Sequence, residues 1–429
     1  MLVQGGRKAL QRADGTAGDD GARTALARAD WPAALSEDLL AFSIDASVLQ
    51  RVGDELRFTH QLLQESLAAD VLLSAARSHS RPARDFWLTQ NGWARSGWEV
   101  VAEIAAEACA GDTPAQIGLI RWLAETAPKV ATDIWNHAGQ PALPAELLAA
   151  TKAQWLPRMT DVAAEPEPEA RMAIGCWLGA LDLDDRAGTG LTPDGLPDID
   201  WVVIDDPRPF VYQEGTHLPL PAFAIARYPV TNRQWQAFVD DGGYLDDRWW
   251  EGLAAKLEPC APSTSQPTSP RERVSWYEAV AFCRWLADRS ERDVRLPMET
   301  EWERAARGVD GQPYPWGDEW RSKPCNCLEA KLPAPALVGL FPNGRTNGDA
   351  AGGRGIEDLA GNVQEWCLNE FRFPSRTQLE GAARRVLRGG SGMTEIERCR
   401  GDSRDGRQAG LRGDFIGFRV AVSVRRSKG

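Results

Sequence analysis

The first part of the chain has a helical rhythm. Alanine and leucine are frequent between residues 24 and 185, and apolar residues recur at intervals of three and four, which predicts helices. Ser36-Glu37-Asp38 is suited to start one of them through an N-cap. Val48 to Phe58 alternates and carries Gly53-Asp54 at its middle, which predicts a short hairpin. In Leu56 to Leu73, Phe58, Leu62, Leu63, Leu67 and Val71 form an apolar stripe, and His60 reads as a locally hydrogen-bonded member of a packed helix. Glu146 to Ala164 continues the helical pattern, and the alternating Glu and Pro of residues 165–169 break it. Arg186 to Pro197 is rich in Gly, Pro and Asp. From Ile199 the pattern changes to short apolar stretches, many aromatics and many turns. The expected division is a flexible N-terminus (1–23), a helical domain (24–185), a linker (186–198), a second domain (199–424) and a tail (425–429).

Within the second domain, Phe223 to Asn232 reads as a strand ending at a helix cap. Thr231 or Asn232 is placed to cap a helix over 234–239. Val274-Ser275-Trp276 leads into a helix over 277–289 with Ala281, Trp285 and Leu286 on one face. Thr300 is a candidate cap for the next helix, with Glu303 completing a capping box, unless the helix starts a residue or two earlier. Tyr314-Pro315-Trp316-Gly317 predicts a turn with buried aromatics. Arg388-Gly389-Gly390-Ser391 suggests a tight backbone passage, and Phe418, Val420 and Val422 fall on one strand face. Between these fixed ends, Gly392 to Phe415 has neither helical nor strand periodicity. It reads as a loop displayed by a scaffold, or as a solvated loop with no role.

At 429 residues, more than one core is expected. The net charge of −12 argues against nucleic-acid or anionic-membrane partners. No apolar run is long enough to span a membrane, and Met1 to Asp20 lacks the apolar stretch of a secretory signal, so a cytoplasmic protein is expected. The eight cysteines include no CxxC pair; Cys325 and Cys327 are too close for an ordinary disulfide, and nothing nearby in sequence completes a zinc site. The four histidines are scattered, which disfavours a three-histidine metal centre. Eighteen tryptophans are expected to anchor the cores.

The run Phe58-Thr-His60-Gln-Leu-Leu-Gln64-Glu65-Ser66-Leu-Ala68-Ala69, with Phe86-Trp87, Trp93 and Trp98-Glu99-Val100-Val101 after it, resembles the region following the ATPase core of NACHT-type signalling NTPases. No GxxxxGK[ST] phosphate loop occurs in the chain, so this resemblance implies a helical adaptor, with a signalling NTPase as a possible partner and no ATPase activity of its own.

Residues 199–424 resemble the formylglycine-generating enzyme, or sulfatase-modifying factor, family. The matching landmarks are PVTN (229–232), VSWYEAVAFCRWL (274–286), RLPMETEWERAARG (295–308), YPWG (314–317), GNVQEW (361–366), RGGS (388–391) and GFR (417–419). The resemblance implies an α+β chain: a C-type lectin-like domain of the formylglycine-generating type, preceded by an all-α domain. The family's oxidases hold Cu(I) through two cysteines after the GGS turn, at positions that fall on Thr394 and Cys399 here. Threonine cannot replace a thiolate, so no copper and no catalytic residue are expected, and Cys399 reads as a packed residue. Asp358, Gly361, Val363 and Glu365 resemble a structural Ca²⁺ loop of these enzymes. Alternatively, Asp358 caps a turn and Glu365 pairs with an arginine.

A non-catalytic branch of the family includes the variable proteins of diversity-generating retroelements, in which the segment between RGGS and GFR is diversified. This resemblance implies a sensor-like protein binding a protein or other macromolecular ligand. The contact residues would be Met393, Thr394, Glu395, Ile396, Glu397, Arg398, Ser403, Asp405, Arg407, Gln408, Leu411, Asp414 and Phe415. Arg404 and Arg412 are expected to be structural. The competing readings are a copper-dependent formylglycine-generating oxidase or related enzyme, and a structural adaptor of a NACHT-type NTPase.

Overall fold

The computed structural model describes residues 25–27, 36–86, 98–213, 215–319, 321–332, 334–347 and 355–424. Trp87, Trp93, the 1–23 segment and the 425–429 tail lie outside the described residues. The chain forms two compact units, residues 1–154 and 155–429. No described helix is long and apolar enough to cross a membrane.

The first unit is helical around a small sheet. Strands β1 (Ala25–Ala27), β2 (Leu49–Val52) and β3 (Glu55–Phe58) pair antiparallel in the order β1-β3-β2, with Gly53 at positive φ in the hairpin turn. Helix α1 (Glu37–Asp45) begins at Ser36, whose Oγ accepts the Leu39 amide. Helix α2 (Gln61–Ser78) buries Ala68, Ala69, Leu72, Leu73, Ala75 and Ala76. The expected stripe is therefore displaced: Phe58 belongs to β3, and Leu62 is 73% exposed. Small alanines let the neighbouring helix α3 (Trp98–Ala108) approach on that side. His60 is exposed at the N-cap of α2 and makes no capping bond, so its expected local hydrogen bond is not formed. Helices α4 (Thr113–Ala124), α5 (Pro128–His137) and α6 (Ala145–Trp155) follow.

The boundary falls earlier than the 186–198 stretch suggests, because buried hydrogen bonds fasten residues 165–198 to the second unit. Helix α7 (Pro168–Ala180) starts at Pro168, within the expected breaker. Its buried Arg171 donates to the Leu340 and Glu165 carbonyls. Arg186 donates to Val338 O, and Gly188 O and Asp198 O both accept from Gln234.

Two four-stranded sheets organise the rest. One runs β11 (Arg404–Gln408), β10 (Arg384–Arg388), β9 (Gln364–Glu370), β12 (Ile416–Gly417); the other runs β4 (Trp201–Ile204), β7 (Phe223–Ala226), β13 (Ala421–Ser423), β8 (Val294–Arg295); β5 (Phe210–Tyr212) and β6 (Thr216–Leu218) pair apart from both. In the first, β9, β10 and β11 are antiparallel neighbours, and β12 joins β9 in parallel. In the second, β4, β7, β8 and β13 pair antiparallel. Helices α8 (Asn232–Asp240) and α9 (Trp276–Ser290) begin with capping boxes built by Thr231 with Gln234 and Ser275 with Glu278. Trp235, Phe238, Phe282, Trp285 and Phe418 interlock between these helices and the sheet. Phe418, Val420 and Val422 share this core.

Helix α10 (Glu299–Arg307) takes the earlier of the two expected starts, so Thr300 and Glu303 do not cap it. It starts at Met298, whose amide donates to Glu301. Glu303 is not a capping residue: it is fully buried and ion-paired with Arg307 and Arg388.

Candidate functional site

Gly389 and Gly390 take positive φ, +95° and +70°, where L side chains are strained. A Cβ on Gly390 would stand 2.8 Å from Arg398 O and 2.9 Å from both Cys399 Sγ and Thr394 Oγ1. The chain here passes through a slot only glycine fits. Beyond the slot, residues 392–415 are more ordered than their polar pattern suggests. Ile396–Cys399 is a 3-10 turn, and Arg404–Gln408 is the edge strand β11, pairing with β10 from Arg384↔Gln408 to Arg388↔Arg404.

Between that edge strand and the turn lies a pocket of about 170 Å³. It is lined by Gln364, Leu387, Arg388, Gly389, Gly390, Thr394, Arg398, Ser403, Arg404, Asp405 and Arg407. It brings together five of the expected contact residues: Thr394, Arg398, Ser403, Asp405 and Arg407. Met393, Glu395, Ile396, Glu397, Gln408, Leu411, Asp414 and Phe415 do not line it, although none of them is buried. Asp414 pairs with Arg273, and the half-buried Phe415 ring stands against Gly392. Sequence reasoning missed Gln364, Leu387, Arg388 and Arg404 as pocket residues. The RGGS landmark marked the slot, but only the strand pairing shows that β9, β10 and β11 supply one wall.

Buried ion pairs fix that wall. Arg388 pairs with Glu303 and donates to Asp402 O and Ser403 O at 3.1 and 2.9 Å. Arg404 donates to both Glu299 oxygens at 3.0 and 2.9 Å. Arg412 pairs with Glu278 elsewhere, so Arg404 and Arg412 have the structural roles expected of them. Arg407 and Asp405 pair at 2.9 Å on the rim. Four arginines thus line the pocket, and three of them are matched by Glu303, Glu299 and Asp405. Among the described residues Arg398 has no carboxylate partner, and it is exposed.

Thr394 closes the local turn. Its Oγ1 accepts the Ser391 amide at 2.8 Å and donates to Ser391 O at 3.0 Å, and it stands 3.7 Å from Cys399 Sγ. The copper pair implied by resemblance is therefore one thiol beside a neutral hydroxyl already engaged with backbone, and it does not fit that ion. Cys399 has other company. It is buried in a cluster with Cys325, Cys327, Trp316 and Ala360, and its Sγ donates to Glu395 O at 3.8 Å. The neighbouring thiols, Cys325 first, hold the Cys327 thiol below the usual range. Cys399 is thus a packed residue, as expected, and it brings a third sulfur to the Cys325–Cys327 pair without making a metal site among the described residues. The third sulfur arrives from more than seventy positions along the chain, which no local spacing reveals.

The implied calcium set also fails to fit. Both Glu365 oxygens are taken: Oε2 by Arg419 Nε at 2.6 Å and Trp302 Nε1 at 2.7 Å, and Oε1 by Arg419 Nη2 at 2.7 Å. A guanidinium already faces the carboxylate that would hold the cation. Asp358 instead accepts the Gly339 amide at 2.7 Å. The alternative roles, a turn contact for Asp358 and an arginine pair for Glu365, describe the structure. Among the described residues no group of three or more His, Cys, Asp or Glu is arranged to hold a metal ion.

An α+β domain with this slot, loop and glutamate–arginine framework defines the class, and comparison with known proteins names the family. Residues 208–424 match the sulfatase-modifying factor enzyme 1-like domain, and the chain belongs to that family. It is 33% identical over 279 residues to the hercynine oxygenase of Mycolicibacterium thermoresistibile, covering 56% of this chain and 60% of that protein. The chain therefore spans only about 60% of that relative's length. It is 30% identical over 250 residues to the inactive C-alpha-formylglycine-generating enzyme 2 of Mus musculus, covering 48% of this chain and 77% of that one. Among solved structures, Treponema denticola variable protein 1 aligns at 20% identity with a TM-score of 0.40, covering 52% of this chain and 95% of that one.

Proposed function

We propose that this is a non-catalytic binding protein whose pocket takes a small acidic group of a larger, protein-like ligand, with the rest of 392–415 as the surrounding contact surface. The single observation that carries the reading is the pocket itself, whose one unmatched charge among the described residues is Arg398. At about 170 Å³ the pocket is smaller than the several hundred Å³ usual for whole small-molecule ligands. It suits one side chain or chain end. Exposed Met393, half-buried Ile396 and exposed Leu411 are available as apolar contacts around it. Thr394 supports the non-catalytic assignment, since its hydroxyl occupies a place where the oxidases need a thiolate. The name of the inactive mouse relative is in keeping with that assignment. Loop diversification by a retroelement and attachment to a NACHT-type NTPase belong to the same proposal and rest on the sequence resemblances alone.

A second reading, an oxygen-using enzyme, is favoured by the similarity to the hercynine oxygenase. A three-histidine metal centre is not available to the second unit, because of His60, His79, His137 and His217 only His217 lies within it.

The binding test uses N-acetylglutamate α-amide against N-acetylglutamine α-amide, probes of equal size of which only the first carries a carboxylate, followed by thermal shift. The acid raises the melting temperature of the unmutated chain and the uncharged probe does not, and Arg398→Glu removes the effect without lowering the ligand-free melt. Equal responses to the two probes, or an acid response that survives Arg398→Glu, would contradict the proposal.

A further inference from the structure

Leu387 is the one hydrocarbon side chain lining the pocket among the described residues, and it is itself fully buried, paired across the sheet with Trp366. The rest of the lining is polar or glycine, and most of it is already engaged. Arg388 and Arg404 face Glu303 and Glu299, Asp405 is held by Arg407 and the Gly406 amide, and Thr394 is turned onto Ser391. Three side chains are left. Arg398 is exposed and unmatched, and half-buried Gln364 and Ser403 make no side-chain hydrogen bond among the described residues. Strand register brings the last two to the same place. Arg388 pairs with Glu365 of β9 on one side and with Arg404 of β11 on the other, so the next residue, Gly389, lies between Gln364 and Ser403. A primary amide and a hydroxyl therefore flank bare backbone, in a pocket whose one unmatched charge is a guanidinium.

We propose, on the reading of this pocket as a binding site, that the acidic group it takes is the C-terminal carboxylate of a peptide, with Gln364 and Ser403 as the residues that select it. A chain end carries its charge directly beside a peptide group, so polar atoms surround it on every side. Arg398 meets the carboxylate with a planar fork of donors. The Ser403 hydroxyl donates to a carboxylate oxygen. The Gln364 amide, which has both donors and an acceptor, matches the C=O and N–H of the last peptide group. An acidic side chain fits this lining less well. Glutamate brings its carboxylate behind methylene groups, which find almost no hydrocarbon wall here, and Gln364 would lose water and gain no partner. The single unmatched guanidinium, with Asp405 at the rim, suits a monoanion, so the favoured end residue has an uncharged side chain.

The test measures affinity by calorimetry on the whole unmutated chain. The probes are N-acetylalanylalanine, its C-terminal amide, and N-acetylalanylglutamate α-amide, whose only carboxylate is on a side chain. The terminal acid should bind at least about tenfold more tightly than the side-chain acid, the effect of one or two further satisfied hydrogen bonds, and the uncharged amide should bind most weakly. Gln364→Leu, which roughly keeps the volume and removes the amide, should erase the advantage of the terminal acid and leave the side-chain acid unchanged. The three-probe comparison needs no variant, so a leucine chain that fails to fold leaves the test intact. A side-chain acid that binds as tightly as the terminal one overturns the chain-end assignment and leaves the binding role standing. No binding of either acid removes the binding role as well. An advantage that survives Gln364→Leu overturns the part given to Gln364.

Discussion

Thr394 carries the functional reading at the scale of single residues, because one hydroxyl separates a thiol pair from a turn closed on Ser391. Gly390 carries the local geometry. Gly390→Ala would force a methyl group against Arg398 O and Cys399 Sγ in a backbone conformation that L residues avoid, and should cost about 1–3 kcal/mol or more. Denaturant melts check it; an unchanged midpoint would mean the slot is not tight. Asp358 makes a different residue-scale prediction. Burial is the largest cause pushing its carboxyl up to about 7, from an ordinary value of 3.8. The folded chain therefore holds this proton at higher pH than the unfolded chain does. Its stabilising contribution is full below pH 3.8 and is lost as pH rises through about 7. Urea midpoints should fall across that window, and the fall should be shallower in Asp358→Asn. An equal slope in both chains would show that Asp358 does not titrate there.

Among elements, the segment from Arg388 to Arg419 divides into fixed ends and an exposed middle. Glu395, Arg407 and Gln408 are exposed and Ile396 half-buried, so their joint change to alanine should move stability little, within about 0.5 kcal/mol per site. Phe418 is fully buried against Trp235 and Phe282, and Phe418→Ala should cost about 3–5 kcal/mol. Thermal melts of the two variants test the division; a quadruple variant melting far below Phe418→Ala would place the loop in the core. Element by element, the sequence was informative where chemistry is local. Thr231 and Ser36 cap the helices they were expected to cap. It was uninformative where a partner comes from far away. Arg404-Asp-Gly-Arg-Gln408 has poor strand composition and becomes a strand because β10 offers its free edge. Glu303 looked like a capping residue because Arg388, 85 positions away, cannot be seen from the helix. In α2 the large leucines suggested the buried face, but the alanines permit the closer approach.

For the whole molecule, the family and the α+β class were legible because the landmarks PVTN, RGGS and GFR occur in order and span the matched 208–424 segment. The unit boundary was not, because Gly- and Pro-rich composition marks turns as readily as linkers, and residues 186–198 prove to be turns held by Gln234 and Val338. The choice between a calcium set and an arginine pair stayed open in the sequence, and the third sulfur was hidden, for one reason: what decides each is a partner distant in sequence, Arg419 for Glu365 and Cys399 for the Cys325–Cys327 pair. The central claim is that this member of the family binds rather than oxidises. Its most direct test is oxygen consumption by the purified chain, supplied with copper, on a CxPxR-type cysteine peptide. The account predicts no turnover and no formylglycine in the peptide; copper-dependent turnover that Cys399→Ala abolishes would contradict it.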